Sequence, residues 1–322
     1  MKSQGKAMRW LSAAVLALGA WQAQAADKVI AGSLGGQAPS WPFYIALDKG
    51  FLTDAGIDME LNFTSSPTSV MQQLTGGSIV VAVSVGATDP LQAIDKGASL
   101  AIVRIIGDSA PYALIAKPSI KTIADLRGKT ISIGSDADIT NVYFQRMMEA
   151  NGLHKGDYDT FQAGVAAARY AALQAGVADA ALVLPPLNFH ADKAGFHTIG
   201  LPFDYVKDFP FTCMVVLRPW AVAHEDIVRR IIKATDRSIA WFNDPANRPE
   251  AIKLLVADAH ATPEDAEASY DFLRRIDYFA PTDKVSRTRL QNLIEVDKGL
   301  KYVDGAFTAD RVVLPGVTDL AE

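Results

Sequence analysis

The sequence predicts an α/β protein built as two lobes, and two repeated patterns and the chain length lead to that prediction. Lys28–Phe51 and Lys129–Leu153 each read as an apolar strand, a Gly/Ser-containing loop and an amphipathic helix closed by glycine. Leu74–Gly97 and Leu173–Gly195 repeat a second unit in which a strand, a loop and a helix follow each other. Short apolar strands that alternate with helices indicate parallel α/β units. A chain of 322 residues favours two such lobes over one long doubly wound sheet.

The last third of the chain changes character and predicts long helices. Residues 224–244 place Ile227, Ile231, Ile232 and Trp241 on one helical face. A second helix is expected to begin at Thr262, where the threonine and the following proline have the pattern of a helix cap. We expect these helices to return and cover the first lobe.

Residues 1–25 have the features of a secretory signal peptide. Three basic residues precede an apolar run from Trp10 to Trp21, and the segment ends in the cleavage pattern Ala23-Gln24-Ala25. The run is too short to span a bilayer comfortably. We therefore expect a soluble periplasmic protein, and the absence of a cysteine after the signal argues against a lipid anchor. Cys213 is the only cysteine, so no internal disulfide is expected.

The charge balance excludes some partners. The first 25 residues carry three positive and no negative side chains, so their removal would change the formal charge from −5 to −8. A mildly acidic chain of this kind argues against nucleic acid or an anionic membrane as a partner.

The loops after the predicted strands are candidates for binding a small molecule. Ligands of parallel sheets lie beyond the carboxyl ends of the strands, where helix N-termini present unpaired N–H groups. These loops are rich in small and hydroxylated residues, and Trp41 could supply an aromatic wall. The predicted ligand-binding residues are Gln37, Ser40, Trp41, Ser65, Ser66, Thr68, Gly86, Ala87, Thr88, Ser135, Asp138, Thr140, Gly164, Arg169, Pro185 and Asn188.

Several of these residues have a second interpretation. Ser40, Thr68 and Thr140 suit helix caps equally well, and Trp41 has the character of a core aromatic residue. Arg169 is the one cation that we place near the cleft, and a surface position is the alternative. Asp89 and Asp138 would disfavour a strongly anionic ligand.

The sequence offers little support for catalysis. No two histidines have metal-ligand spacing, and no nucleophile elbow or phosphate-binding loop is present. Cys213 lies in an apolar segment and is expected to be buried and inert. We predict no catalytic residue, no metal site and no cofactor. An exported enzyme on the same fold is the competing hypothesis, and Asp89, Asp136 and Asp138 are its candidate acid/base residues.

Three segments resemble periplasmic substrate-binding proteins of the NMT1/THI5-like group, which includes nitrate, taurine and alkanesulfonate binders. WPFYIALDKGFLTDAGIDMEL matches the opening pattern of that group, SIKTIADLRGKTISIG its linker into the second lobe, and AALQAGVADAALVLPP a later segment. One departure is Val80, which stands where the group usually has an acid in this strand. The cysteine-rich signature of the group's pyrimidine-synthesis members cannot occur in a chain with one cysteine.

The resemblance implies a type II periplasmic binding protein fold, with two Rossmann-like lobes joined by two crossings near 107–117 and 209–217. The implied bounds are 26–110 and 216–322 for the first lobe and 111–215 for the second. The implied function is that of a monomeric solute receptor of an ABC importer, with permease subunits in the membrane and a cytoplasmic ATPase as partners. Sulfonates and aromatic carboxylates are the favoured ligands. A neutral pyrimidine- or flavin-like heterocycle and a sensor role are the alternatives.

Overall fold

The computed structural model describes residues 26–35, 37–64, 66–280, 284–318 and 320–321. The predicted signal peptide and the predicted ligand residue Ser65 lie outside this part of the chain. The described residues form two five-stranded mixed sheets, each flanked by helices, and a small pair of strands near the end of the chain. This arrangement confirms the predicted two-lobed α/β fold.

The first sheet has the strand order β2-β1-β3-β10-β4. β1 pairs in parallel with β2 and β3, whereas β10 runs antiparallel to β3 and β4. Every residue of β3 and β4 is buried, as expected for strands that helices cover on both faces. The strands are β1 (Asp27–Leu34), β2 (Ile57–Thr64), β3 (Val81–Gly86), β4 (Leu100–Gly107) and β10 (Thr212–Leu217).

The second sheet repeats this plan with the order β7-β6-β8-β5-β9. β6 pairs in parallel with β7 and β8, and β5 runs antiparallel to β8 and β9. Its strands are β5 (Ala113–Ala116), β6 (Thr130–Ile133), β7 (Asp159–Gln162), β8 (Ala180–Val183) and β9 (His197–Gly200). The short strands β11 (Val285–Ser286) and β12 (Leu320–Ala321) form the remaining pair.

Thirteen helices are found in the described residues, and four of them begin with the side-chain caps that polar residues before a helix predict. Ser66 accepts a hydrogen bond from the N–H of Ser69, and Thr262 accepts one from the N–H of Asp265, which confirms the predicted start of that helix. The helices are α1 (Trp41–Asp48), α2 (Phe51–Asp54), α3 (Pro67–Gly76), α4 (Thr88–Asp95), α5 (Ile139–Ala150), α6 (Ala166–Gln174), α7 (Leu187–Lys193), α8 (Arg218–Ala223), α9 (Glu225–Asn243), α10 (Arg248–Ala259), α11 (Pro263–Arg275), α12 (Arg287–Gly299) and α13 (Ala309–Val312).

The chain crosses between the two sheets twice. The first crossing follows β4 and reaches β5 within residues 108–112, and the second leads from β9 back to β10. The two crossings touch each other where the N–H of Phe211 donates to the carbonyl of Gly107 at 2.9 Å. The return to the first sheet is complete at Thr212, so the predicted lobe boundary at residue 215 falls inside β10, a strand of the first sheet.

The helices after β10 pack on the first lobe, as their apolar faces require. α9 lies against α1 and α2, and α10 lies against α1. The fully buried Trp41 sits at this junction, with its ring edge-on to Phe242 and Tyr270. Its indole N–H donates to the carbonyl of Ala251 at 3.0 Å. Trp41 is thus a core residue that joins α1 to the C-terminal helices.

Candidate ligand-binding site

A narrow cleft lies between the two lobes. It is bounded by loops after β1 and β3 on one side, by loops before α5 and α6 on the other, and by both crossings. Most of its surface is apolar, and the polar groups converge from several elements. Its lining residues are Leu34, Gln37, Pro39, Pro67, Ser84, Gly86, Asp89, Tyr112, Asp138, Ile139, Thr140, Gly164, Val165, Ala166, Arg169, Leu184, Phe211 and Thr212.

Arg169 is the only Arg or Lys among the described residues that line this cleft. It projects from α6 and is buried, so the alternative of a surface arginine is wrong. Its Nε donates to the carbonyl of Leu182 and its Nη1 to the carbonyl of Gly164, each at 2.5 Å. The guanidinium also lies 5.5 Å from the ring centre of Tyr112. Backbone acceptors therefore hold the cation in place at the floor of the cleft without neutralising it.

Asp138 faces the cleft from the second lobe and caps α5. Its Oδ1 accepts hydrogen bonds from the N–H groups of Thr140 and Asn141 at 2.9 and 3.2 Å, and from the Thr140 hydroxyl. Gly134 lies so close that a side chain there would clash with the Asp138 carboxylate. Burial raises the pKa of Asp138, and these hydrogen bonds together with Arg169 act in the opposite direction.

Asp89 faces the cleft from the first turn of α4 in the first lobe. Its Oδ2 is closed off from solvent and has no hydrogen-bond partner in the described part of the chain. Burial, followed by the nearby Asp138 and Asp297 carboxylates, raises the pKa of Asp89 well above its usual range. Burial also raises the pKa of Asp297 to about 7, although the Thr88 hydroxyl donates to its Oδ1 at 3.2 Å. Two other carboxyl groups thus act on Asp89 in a poorly solvated region.

Ser84 supplies the one strained backbone position of the cleft wall that the structure describes. Its φ of 52° lies in the left-handed region, which serine rarely adopts. The register of β3 against β10 shifts at this point, so the residue belongs to a bulge. The bulge turns the Ser84 hydroxyl towards the loop after β1, where it donates to the carbonyl of Pro39 at 3.0 Å. Strain of this kind is typical of functional sites.

The lobes are in contact around the cleft, so the structure represents a closed form. The N–H of Ala38 donates to the carbonyl of Pro185 at 3.2 Å. At the rim, Asn141 donates to the Tyr302 hydroxyl at 2.9 Å. Lys193 of α7 pairs with the buried Asp265 of α11 at 2.8 Å. A second, wider gap shares Gln37, Val165 and Ala166 with the cleft and continues along the same interface.

Six of the predicted ligand residues line the cleft: Gln37, Gly86, Asp138, Thr140, Gly164 and Arg169. The strand-end argument located them because the loops of both sheets converge where the lobes meet. Thr68 and Ser135 line a separate groove with the ends of α3 and α4.

The other predicted residues that the structure describes do not line the cleft. Trp41 was predicted as a possible aromatic wall, and that prediction is wrong because the ring is buried in the first-lobe core. Ser40 donates to the carbonyl of Leu34, and Ser66 caps α3, so their hydroxyls are used within the lobe. The Thr88 hydroxyl donates a hydrogen bond to Asp297, and Asn188 is buried in the second lobe. The N–H of Ala87 donates to the carbonyl of Phe211, and the carbonyl of Pro185 accepts from the N–H of Ala38.

The crossings supply site residues that sequence reasoning did not select. Tyr112 ends the first crossing and Phe211 ends the second, and their rings meet edge-to-face at 5.1 Å. Both residues precede buried strands, and aromatic side chains before a strand were the available signal. That signal is weak because a core position explains it equally well.

The described residues offer little for catalysis. They contain no group of three or more His, Cys, Asp or Glu side chains placed to hold a metal ion. Cys213 is buried in β10, and burial raises the pKa of its thiol far above neutrality, which disfavours a thiolate nucleophile. Asp136 is exposed and accepts a hydrogen bond from Gln162 rather than facing the cleft.

The family model described as NMT1/THI5 like matches residues 37–249. The chain belongs to the NMT1/THI5-like family. Within the described residues, no helix has the length and apolar character needed to cross a bilayer. No curated protein sequence matches the chain significantly.

Solved structures share the fold of this NMT1/THI5-like chain at low sequence identity. The alkanesulfonate-binding protein SsuA from Xanthomonas axonopodis pv. citri, bound to MOPS, has a TM-score of 0.74 at 18% identity, covering 91% of this chain and 98% of that one. The periplasmic nitrate-binding protein NrtA from Synechocystis PCC 6803 has a TM-score of 0.72 at 15% identity, covering 89% and 84%. A cysteine mutant of DszB in complex with biphenyl-2-sulfinic acid has a TM-score of 0.64 at 15% identity, covering 90% and 97%. These similarities show the periplasmic binding protein fold.

Proposed function

We propose that this protein is the solute receptor of an ABC importer and that it captures a small organic molecule in the cleft between its lobes. The observation that carries the proposal is the buried Arg169, held by backbone carbonyls at the floor of an inter-lobe cleft. Such a cation, set among apolar walls, suits recognition of one acceptor group on a small ligand. Membership of the NMT1/THI5-like family supports the receptor role.

The two-lobed closed form supports a transport cycle. A ligand that contacts both lobes stabilises closure, because it binds the closed state more tightly than the open one. We propose that the closed form docks on permease subunits in the membrane, which a cytoplasmic ATPase serves. Export to the periplasm and a monomeric receptor are parts of the same proposal. The protein needs no catalytic residue for this role.

The cleft favours a compact solute with an acceptor group for Arg169 and an apolar body for Tyr112 and Phe211. Sulfonates and aromatic carboxylates meet both requirements. A neutral heterocycle of the pyrimidine type is the second candidate, and one observation favours it. Burial raises the pKa of Asp89 and Asp138 in the same cleft, and a bound anion would raise it further, whereas a ligand without net negative charge would not.

A binding screen tests the proposal. Residues 26–322 would be heated with sulfonates, aromatic carboxylates, nitrate, pyrimidines and riboflavin, and the melting temperature recorded. A ligand at a thousand times its dissociation constant adds roughly 4 kcal/mol to the free energy of unfolding. That stabilisation raises the melting temperature by several degrees in a protein of this size. Mass spectrometry of the recovered compound completes the test, because chemical conversion of a bound compound would refute the receptor role in favour of an enzyme.

A further inference from the structure

Asp89 Oδ2 is a buried acceptor at the edge of the proposed site without a hydrogen-bond partner in the described part of the chain. Leaving such an acceptor unpaired costs free energy, because the water that it lost on burial is not replaced. Asp138 also lines the cleft, but its Oδ1 accepts hydrogen bonds from two backbone N–H groups and one hydroxyl. Asp138 therefore has hydrogen-bond donors within its own lobe, whereas Asp89 Oδ2 has none in the described part of the chain.

No side chain in the described part of the chain donates a hydrogen bond to Asp89 Oδ2. Asp138 in the facing lobe and Asp297 behind the cleft are the charged neighbours that act most strongly on it, and both are carboxyl groups. Arg169 directs its Nε and Nη1 to backbone carbonyls of its own lobe. The N-terminus of α4 carries a partial positive charge, which favours a negative charge on Asp89 but supplies no hydrogen-bond partner for Oδ2.

Asp89 and Arg169 belong to different lobes and face the same cleft. Asp89 stands on α4 of the first lobe, and Arg169 stands on α6 of the second. A ligand that donates a hydrogen bond to Asp89 and accepts one from Arg169 therefore connects the two lobes. Such a ligand gains both contacts only when the cleft is closed.

We propose that Asp89 accepts a hydrogen bond from an N–H group of the bound solute, so that the receptor selects solutes carrying an amino, amidine-like or amide nitrogen together with an acceptor for Arg169. This inference rests on the proposed receptor function and adds a required donor to the ligand. A protonated amino group has a further advantage, because its positive charge opposes the effect of burial on the pKa of Asp89 and favours the ionised carboxylate, which only accepts hydrogen bonds.

Matched pairs of compounds that differ by one amino group test the inference. The pairs are taurine and ethanesulfonate, 4-aminobenzoate and benzoate, and 4-aminopyrimidine and pyrimidine, each titrated calorimetrically into residues 26–322. We expect the amino member of at least one pair to bind ten- to a hundredfold more tightly, because the other member leaves a buried acceptor without a hydrogen bond. Asp89→Leu should remove that preference, because the leucine has a similar size and no acceptor.

Two further variants separate the specific effect from loss of structure. Asp58→Asn changes an exposed carboxylate on β2 of the same lobe and should keep the full preference. Asp89→Asn keeps the size of the side chain and a weaker acceptor, so it should narrow the preference without abolishing it. Circular dichroism would establish that each variant is folded.

The outcomes distinguish the two levels of the proposal. If compounds without the amino group bind wild type as tightly as their partners, the donor inference is overturned and the receptor function stands. If the preference survives in folded Asp89→Leu, Asp89 is not the acceptor and the inference fails. If none of the six compounds binds folded wild type, the proposed function and the donor inference fall together.

Discussion

Gly86 lies where the first lobe meets the second, and replacing it with alanine should hinder closure. A methyl group at this position would lie 2.6 Å from Cγ2 of Ile139, which begins α5 in the second lobe. Carbon atoms pack favourably at about 3.5–4.0 Å, so the lobes would have to separate by about 1 Å. Overpacking of this kind costs about 1–3 kcal/mol. Because the contact with Ile139 exists only when the lobes are closed, ligand affinity should fall by roughly 5- to 150-fold.

Titration calorimetry with the tightest-binding of the six compounds measures this loss, and small-angle X-ray scattering of the saturated protein measures closure. Gly76→Ala is the matched control, because no atom lies within 4 Å of a side chain at that position. The new methyl group would also lie 2.8 Å from Asp89 Oδ2. The double variant with Ile139→Ala separates the two contacts, since it should recover affinity if Ile139 is the obstacle. Wild-type affinity and full closure in Gly86→Ala would refute the reasoning.

Three other predictions follow from contacts described above. Trp41→Phe should lower the free energy of unfolding by about 1–3 kcal/mol, because it leaves the Ala251 carbonyl without its donor. Thermal denaturation measures this loss, and calorimetry should find a ligand affinity within about twofold of wild type. A large loss of affinity would contradict the assignment of Trp41 to the core. The pKa of Asp297 is about 7 in the folded protein and about 4 in the unfolded chain, so its contribution to stability should be lost as the pH rises from about 4 to 7, by on the order of 4 kcal/mol. Asp297→Asn should remove this component from melting temperatures recorded at pH 5 and pH 8, and an unchanged pH dependence would contradict it. Lys193→Ala should weaken ligand binding about fivefold, because loss of the inter-lobe ion pair with Asp265 costs about 1 kcal/mol for a half-exposed lysine. The difference in affinity between the variant and wild type should shrink at high salt. Equal affinities at low salt would show that the ion pair does not hold the lobes together.

The alternation of strands and helices could be predicted because it depends on neighbours along the chain. A short run rich in β-branched residues, such as Val81–Gly86, favours a strand covered on both faces, and Thr262 before a proline marks a helix start by local hydrogen bonding. The site was predictable in part for a related reason. Gly164 and Arg169 come just before and within a helix that follows a strand, and sheet topology brings such positions to one edge.

Other features required the tertiary structure. The sequence by itself determined the two α/β lobes, the helical last third and the loops at which a ligand site would form, because periodicity, capping residues and glycines act over a few residues. Tertiary structure decided that Trp41 belongs to the core, since its partners Phe242 and Tyr270 lie about two hundred residues away and no local pattern announces them. It also decided that Tyr112 and Phe211 meet at the crossings and that Oδ2 of Asp89 is closed off from solvent. Burial and long-range contact depend on how the lobes and the returning helices pack together, and that packing is a property of the whole chain.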